Sequence, residues 1–109
     1  MMQNKLIQLI DNSIEKLNEY IINSRFDRVE QKQIIKVLEE IKNDLKKSGE
    51  IRERLLRGYK DICTSTAINF EEASYADSIF EIKNALELIC PKMKELKILG
   101  MDYGKGDPL

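Results

Sequence analysis

The sequence predicts an all-α fold: an antiparallel four-helix bundle with a short C-terminal helix and a glycine-rich, non-helical tail. Three observations predict it. Apolar residues recur at steps of three and four through four successive segments, the spacing that lines one face of a helix. Only a few residues separate those segments, and short connections between long helices favour antiparallel neighbours. No period of two persists beyond a few residues, so strands have no support. The chain has 109 residues, enough for one core, and combines 34% charged with 42% hydrophobic residues and no Trp. That balance suits a helical bundle.

The first helix is predicted from about Asn4 to Ile22, with Leu6, Ile10, Ile14, Leu17 and Ile21 as its apolar stripe. Asn23-Ser24 breaks it, and Asp27 is placed to cap a second helix ending near Lys46. Ile34, Val37, Leu38, Ile41 and Leu45 form that stripe, and Ser48-Gly49 makes the next break. A third helix is expected from about Glu50 to Glu72, with Ile51, Leu55, Tyr59, Ile62, Cys63, Ala67 and Phe70 inward. Gly58 lies at the edge of that stripe, where it would allow a close helix crossing. Ser74-Tyr75-Ala76-Asp77 resembles a capping box with Asp in the place of Glu. It would open a fourth helix with Tyr75, Ile79, Ile82, Leu86 and Ile89 inside.

Pro91 either ends that helix or begins a short fifth one, Lys92 to Leu99, closed by Gly100. Residues 1–99 thus form one bundle domain, and residues 100–109 form a tail. The tail holds three of the five glycines and one of the two prolines, so neither helix nor ordinary strand runs through it. Met101, Tyr103 and Leu109 are too apolar for a solvated tail, which is expected to pack on the domain or on a partner.

Little catalytic equipment is present. There is no histidine, which removes Ser-His and Cys-His nucleophile pairs and the HExxH zinc helix. Glu39-Glu40, Asp44, Glu71-Glu72 and Asp77 do not give paired ExxE and ExxD motifs on inward faces, as magnesium-dependent all-α hydrolases require. No enzyme, cofactor or metal is expected. Cys63 and Cys90 read as small buried thiols, in keeping with a reducing cytoplasm. The N-terminus leads straight into an amphipathic pattern rather than a signal peptide. No run approaches the ~20 apolar residues that span a bilayer. Cytoplasmic localisation with no membrane partner follows as the expectation.

The formal charge of −1 hides segregation. From Lys42 to Lys60, seven basic residues (Lys42, Lys46, Lys47, Arg52, Arg54, Arg57, Lys60) face three acidic ones (Asp44, Glu50, Glu53). From Asp61 to Cys90, six acidic residues (Asp61, Glu71, Glu72, Asp77, Glu81, Glu87) face Lys83 alone. The basic run has one aromatic and no helix-turn-helix spacing, so nucleic acid is not the expected partner. Each run is either a solvated helix face or, for the acidic one, a surface for a basic protein. On the fourth helix Asp77, Glu81 and Asn84 lie opposite the inner stripe, flanked by Phe80 and Leu88. Apolar groups beside carboxylates on an outer face suit a protein-binding patch. Otherwise the helix is buried on two sides, or the tail folds over Phe80 and Leu88.

The segment Leu55-Leu56-Arg57-Gly58-Tyr59-Lys60-Asp61-Ile62 and the ending from Leu99 to Pro108 resemble small helical immunity proteins of bacterial polymorphic toxin systems, including contact-dependent growth inhibition. The resemblance covers roughly the C-terminal half. It implies a cytoplasmic protein that binds one cognate toxin domain, often a nuclease, and blocks it. The expected contact residues are Glu71, Glu72, Asp77, Phe80, Glu81, Glu87, Leu88, Asp102 and Tyr103. The opposing reading is a structural or regulatory bundle that self-associates through Phe80 and Leu88.

Overall fold

Each apolar stripe becomes the buried face of a helix. The computed structural model describes residues 2–24 and 28–96, which form α1 (Met2–Asn23), α2 (Val29–Lys47), α3 (Glu53–Asn69), α4 (Ala76–Ile89) and a closing 3-10 turn (Pro91–Glu95). There is no strand among the described residues. Consecutive helices pack on one another and α4 returns to α1, closing a four-membered ring.

The side chains that cross the seams fix the antiparallel sense. Gln3 at the start of α1 donates to the Leu45 carbonyl at the end of α2, at 3.1 Å. Ser65 near the end of α3 donates to Glu30 near the start of α2. Tyr20 and Tyr75 bring the end of α1 to the start of α4, with ring centroids 5.2 Å apart in an edge-on pair. Lys92, just past α4, pairs with Glu53 at the start of α3 at 3.2 Å.

Leu6, Ile10 and Leu17, Ile34, Leu38 and Ile41, Tyr59, and Ile79, Ile82 and Leu86 are fully buried along the axis of the ring. Burying such a side chain is worth ~1.5–3 kcal/mol, against ~0–1 kcal/mol for an exposed ion pair. The core therefore holds the ring together, and the surface charges are available for other roles. Gly49 ends α2 with φ +79°, a conformation costly to residues with a Cβ, and its N–H reaches the carbonyls of Asp44 and Leu45.

Several expectations change. Ser13 is fully buried within the α1 stripe, whereas Ile14 and Ile21 are only half-buried. Helix α3 is shorter than expected at both ends. Asp44 accepts from the Arg52 backbone N–H at 3.0 Å and from its guanidinium at 3.0 and 3.1 Å, so the chain stays extended through Arg52. At the far end Phe70 leaves the helix to pack on Tyr75, and Ala67 is exposed. The Ser74–Asp77 capping box does not form. Tyr75 already has helical angles (φ −94°, ψ −5°), and a backbone turn from Ala76 N–H to the Ala73 carbonyl leads the chain into α4. After Pro91 the chain makes one tight turn, and Leu96 is extended. The capping role of Asp27, residues 97–99 of the fifth helix, the Gly100 cap and the whole tail lie outside the described residues.

Gly58 opens no close crossing either: a Cβ built there meets nothing within 4 Å. Gly58→Ala is therefore expected to raise stability by about 1 kcal/mol through helix propensity alone. Urea unfolding should show a higher midpoint at unchanged slope. A lowered midpoint would mean the position needs glycine for another reason.

Candidate protein-binding surface

Helix α4 occupies one corner of the ring, flanked by α1 and α3. Its inner stripe buries Ala76, Ser78, Ile79, Ile82 and Leu86. Its exposed residues are Asp77, Glu81, Asn84 and Leu88, at steps of four, three and four, and so on one outward line. Leu88 keeps 69% of its surface exposed at the end of that line. Glu71 and Glu72, in the turn before α4, are exposed as well. Of the expected surface, Glu71, Glu72, Asp77, Glu81 and Leu88 are exposed.

Two expected members turn away from it. Phe80 is half-buried and packs against the core, because it lies on the flank of α4 that meets its neighbours. Glu87 is partly buried and pairs with Lys83 one turn earlier, at 4.0 Å. Helix α4 is thus buried on two sides, which takes in Phe80 and leaves Leu88 exposed on the third, and the tail expected over these two residues lies outside the described residues. Asp102 and Tyr103 lie outside the described residues.

The structure treats the two charge runs differently. In the basic run, Lys42 pairs with Asp11, Arg52 with Asp44 and Glu40, Arg54 with Glu40, and Arg57 with Glu53. The Arg52 side chain beside Asp44 lowers that carboxyl below its usual value, chiefly through their hydrogen bond. Hydrogen bonds from Arg57 and then Lys92 lower Glu53 in the same way. Lys60 donates to the carbonyls of Met93 at 2.8 Å, Lys94 at 3.3 Å and Leu96 at 2.8 Å. The basic run is therefore largely engaged internally, and the charge of Lys47 also helps to lower the Asp44 carboxyl. By contrast Glu71, Glu72, Asp77 and Glu81 form no ion pair with any described residue. Lys16 reaches over from α1 but donates to Ser78 Oγ at 3.2 Å instead. Among the described residues these four carboxylates are thus left without an ion-pair partner.

Within the Leu55–Ile62 segment, which carried the resemblance together with the C-terminal ending, four side chains are architectural. Leu55, Leu56 and Tyr59 are buried, Tyr59 donates from its hydroxyl to the Ile79 carbonyl at 2.7 Å, and Lys60 holds the closing turn. None of these side chains faces the acidic corner.

A second open surface was not anticipated. The α2–α3 seam is closed at the end of α2 by Arg52 and Arg54 on Glu40 and Asp44. Towards the start of α2, where Ser65 and Glu30 are hydrogen-bonded across the seam, it carries a groove of about 660 Å³ over the buried Ile34, with Val29 and Glu30 along α2, and Asp61, Ile62 and Ser65 along α3. Val29 is 57% exposed, and Ile68, one turn beyond Ser65, is 71% exposed. Both lie off the apolar stripes, which was the available signal in the sequence.

Among the described residues no cluster of His, Cys, Asp or Glu is placed to hold a metal ion, and no helix is long and apolar enough to cross a membrane. No family model matches the chain, and no curated protein or solved structure is similar to it.

Proposed function

We propose that this chain is a cytoplasmic bacterial immunity protein, without catalytic activity of its own, that neutralises a cognate toxin domain through the acidic corner around α4. The observation that carries the reading is the set of exposed carboxylates without an ion pair to any described residue, Glu71, Glu72, Asp77 and Glu81, together with the exposed Leu88. A nuclease cleft lined with Lys and Arg is the complementary surface. Uncompensated charge accelerates encounter with such a cleft, and an apolar anchor slows departure. The resemblance of the Leu55–Ile62 segment and the C-terminal ending to immunity proteins of contact-dependent growth-inhibition systems points the same way.

The test is co-expression with the toxin domain encoded by the adjacent upstream gene. Rescue of growth and a co-purifying complex are expected, and the absence of both would sink the reading. Asp77→Lys with Glu81→Lys should weaken that complex about tenfold or more and flatten its salt dependence, while leaving the fold intact. Unchanged affinity would place the interface elsewhere.

A further inference from the structure

We infer that the open half of the α2–α3 seam is a self-association surface, which takes a second copy of this chain in a two-fold dimer. This face carries both signs of charge: Lys32, Lys36 and Glu30 on α2, and Asp61 beside Arg54 and Arg57 on α3. Lys32 and Lys36 stand on the outer rim of α2, beyond Val29 and Gln33, and Asp61 lines the groove from α3. None of the three charged groups has an ion pair or a side-chain hydrogen bond. Between the two edges lie the apolar Val29 and Ile62, and Ile68 stands exposed beside Asp61 on the outer face of α3.

The register of the seam decides which symmetry suits the face. Glu30 lies beside Ser65 in this antiparallel pair. At ~1.5 Å of rise per residue, Lys32 and Lys36 are therefore level with the turn of α3 that holds Asp61. Val29 is level with the stretch between Ser65 and Ile68. A two-fold axis parallel to the helices lays α2 of one copy over α3 of the other without any slide along the axis. Lys32 and Lys36 of each copy then bracket Asp61 of the other, and Val29 of each comes within about two residues' rise of Ile68 of the other. A two-fold axis across the helices would instead set α2 on α2, lysine against lysine. An isologous contact must be self-complementary, and the first arrangement is the one that sets Lys32 and Lys36 against a carboxylate. A second copy fits both edges at once, whereas a uniformly basic partner such as the one proposed for α4 would meet Lys32 and Lys36.

The test is sedimentation equilibrium of the full chain. The apolar strip is short, so a weak dimer with Kd of about 10–100 μM is expected. Asp61→Lys alone, and Lys32→Glu with Lys36→Glu, should each raise Kd about tenfold or more through like-charge contact. Combining all three substitutions should restore dimerisation to within about threefold, because the swapped edges again match. Asp77→Lys with Glu81→Lys should leave the dimer unchanged, so failure here is distinguishable from failure of the proposed toxin contact. A monomer throughout the concentration range, a dimer indifferent to the edge charges, no restoration by the swap, or dissociation by the α4 variants would each overturn the inference.

Discussion

Replacing Tyr59 with alanine is expected to lower the unfolding free energy by about 3–5 kcal/mol, the range for deleting a large aromatic from a packed core. Tyr59 is fully buried among residues of α3 and α4, and its hydroxyl donates to the Ile79 carbonyl at 2.7 Å. Small domains are stable by only ~5–15 kcal/mol, so this loss is a large share of the total. Tyr59→Phe separates the two contributions, because it keeps the ring and removes only the hydrogen bond, at a cost of about 1 kcal/mol. Urea unfolding followed by circular dichroism measures both. Near-equal stabilities of the two variants would mean that the ring contributes little and that the packing described for α3 against α4 is wrong.

The same residue shows what a sequence pattern conveys and what it does not. Tyr59 falls on the apolar stripe of α3, so its burial is legible from spacing. That its hydroxyl finds the Ile79 carbonyl is not, since the partner belongs to another helix and depends on how the two cross. Gln31 is a sharper case. A glutamine beside charged residues reads as surface, yet it is fully buried, with its amide donating to the Tyr75 hydroxyl at 3.0 Å. Helix ends fail for a related reason. The start of α3 is set by Asp44 of α2 holding the Arg52 backbone, and the end by Phe70 turning onto Tyr75.

The candidate surfaces divide along the same line. The outward line Asp77, Glu81, Asn84 and Leu88 follows from helical period once the inner stripe is known, because both belong to one helix. Which charges remain uncompensated needs the tertiary structure: Arg52 and Glu40 are twelve residues apart, and Lys60 reaches the carbonyl of Leu96. The α2–α3 groove is less legible still. It lies at the end of the seam away from the cross-seam arginines, and neither helix shows that alone.

Stability is expected to fall as pH rises from about 9 towards 12, with Cys63 as the main identifiable cause. Burial pushes its thiol from 9.0 up to about 12, and it also raises the phenols of Tyr59 and Tyr75. The sign follows from proton counting. Above pH 9 the unfolded chain releases the Cys63 proton while the native protein keeps it, so the unfolded state binds fewer protons and stability falls with pH. The contribution is complete below the unfolded value and is lost as pH rises through the native one. Three units correspond to about 4 kcal/mol at the top of that window. Urea midpoints measured from pH 8 to 11 should decline steadily, and Cys63→Ala should decline less steeply. The same burial predicts thiol reactivity at pH 8: native Cys63 should react with a disulfide reagent about a thousandfold more slowly than in urea, following its thiolate fraction. Cys90 is half-buried with a thiol raised to a lesser degree by burial, and it should react ahead of Cys63. A flat stability profile across pH 8–11, or prompt native labelling of Cys63, would show that this thiol meets solvent and that the α3–α4 packing is looser than described.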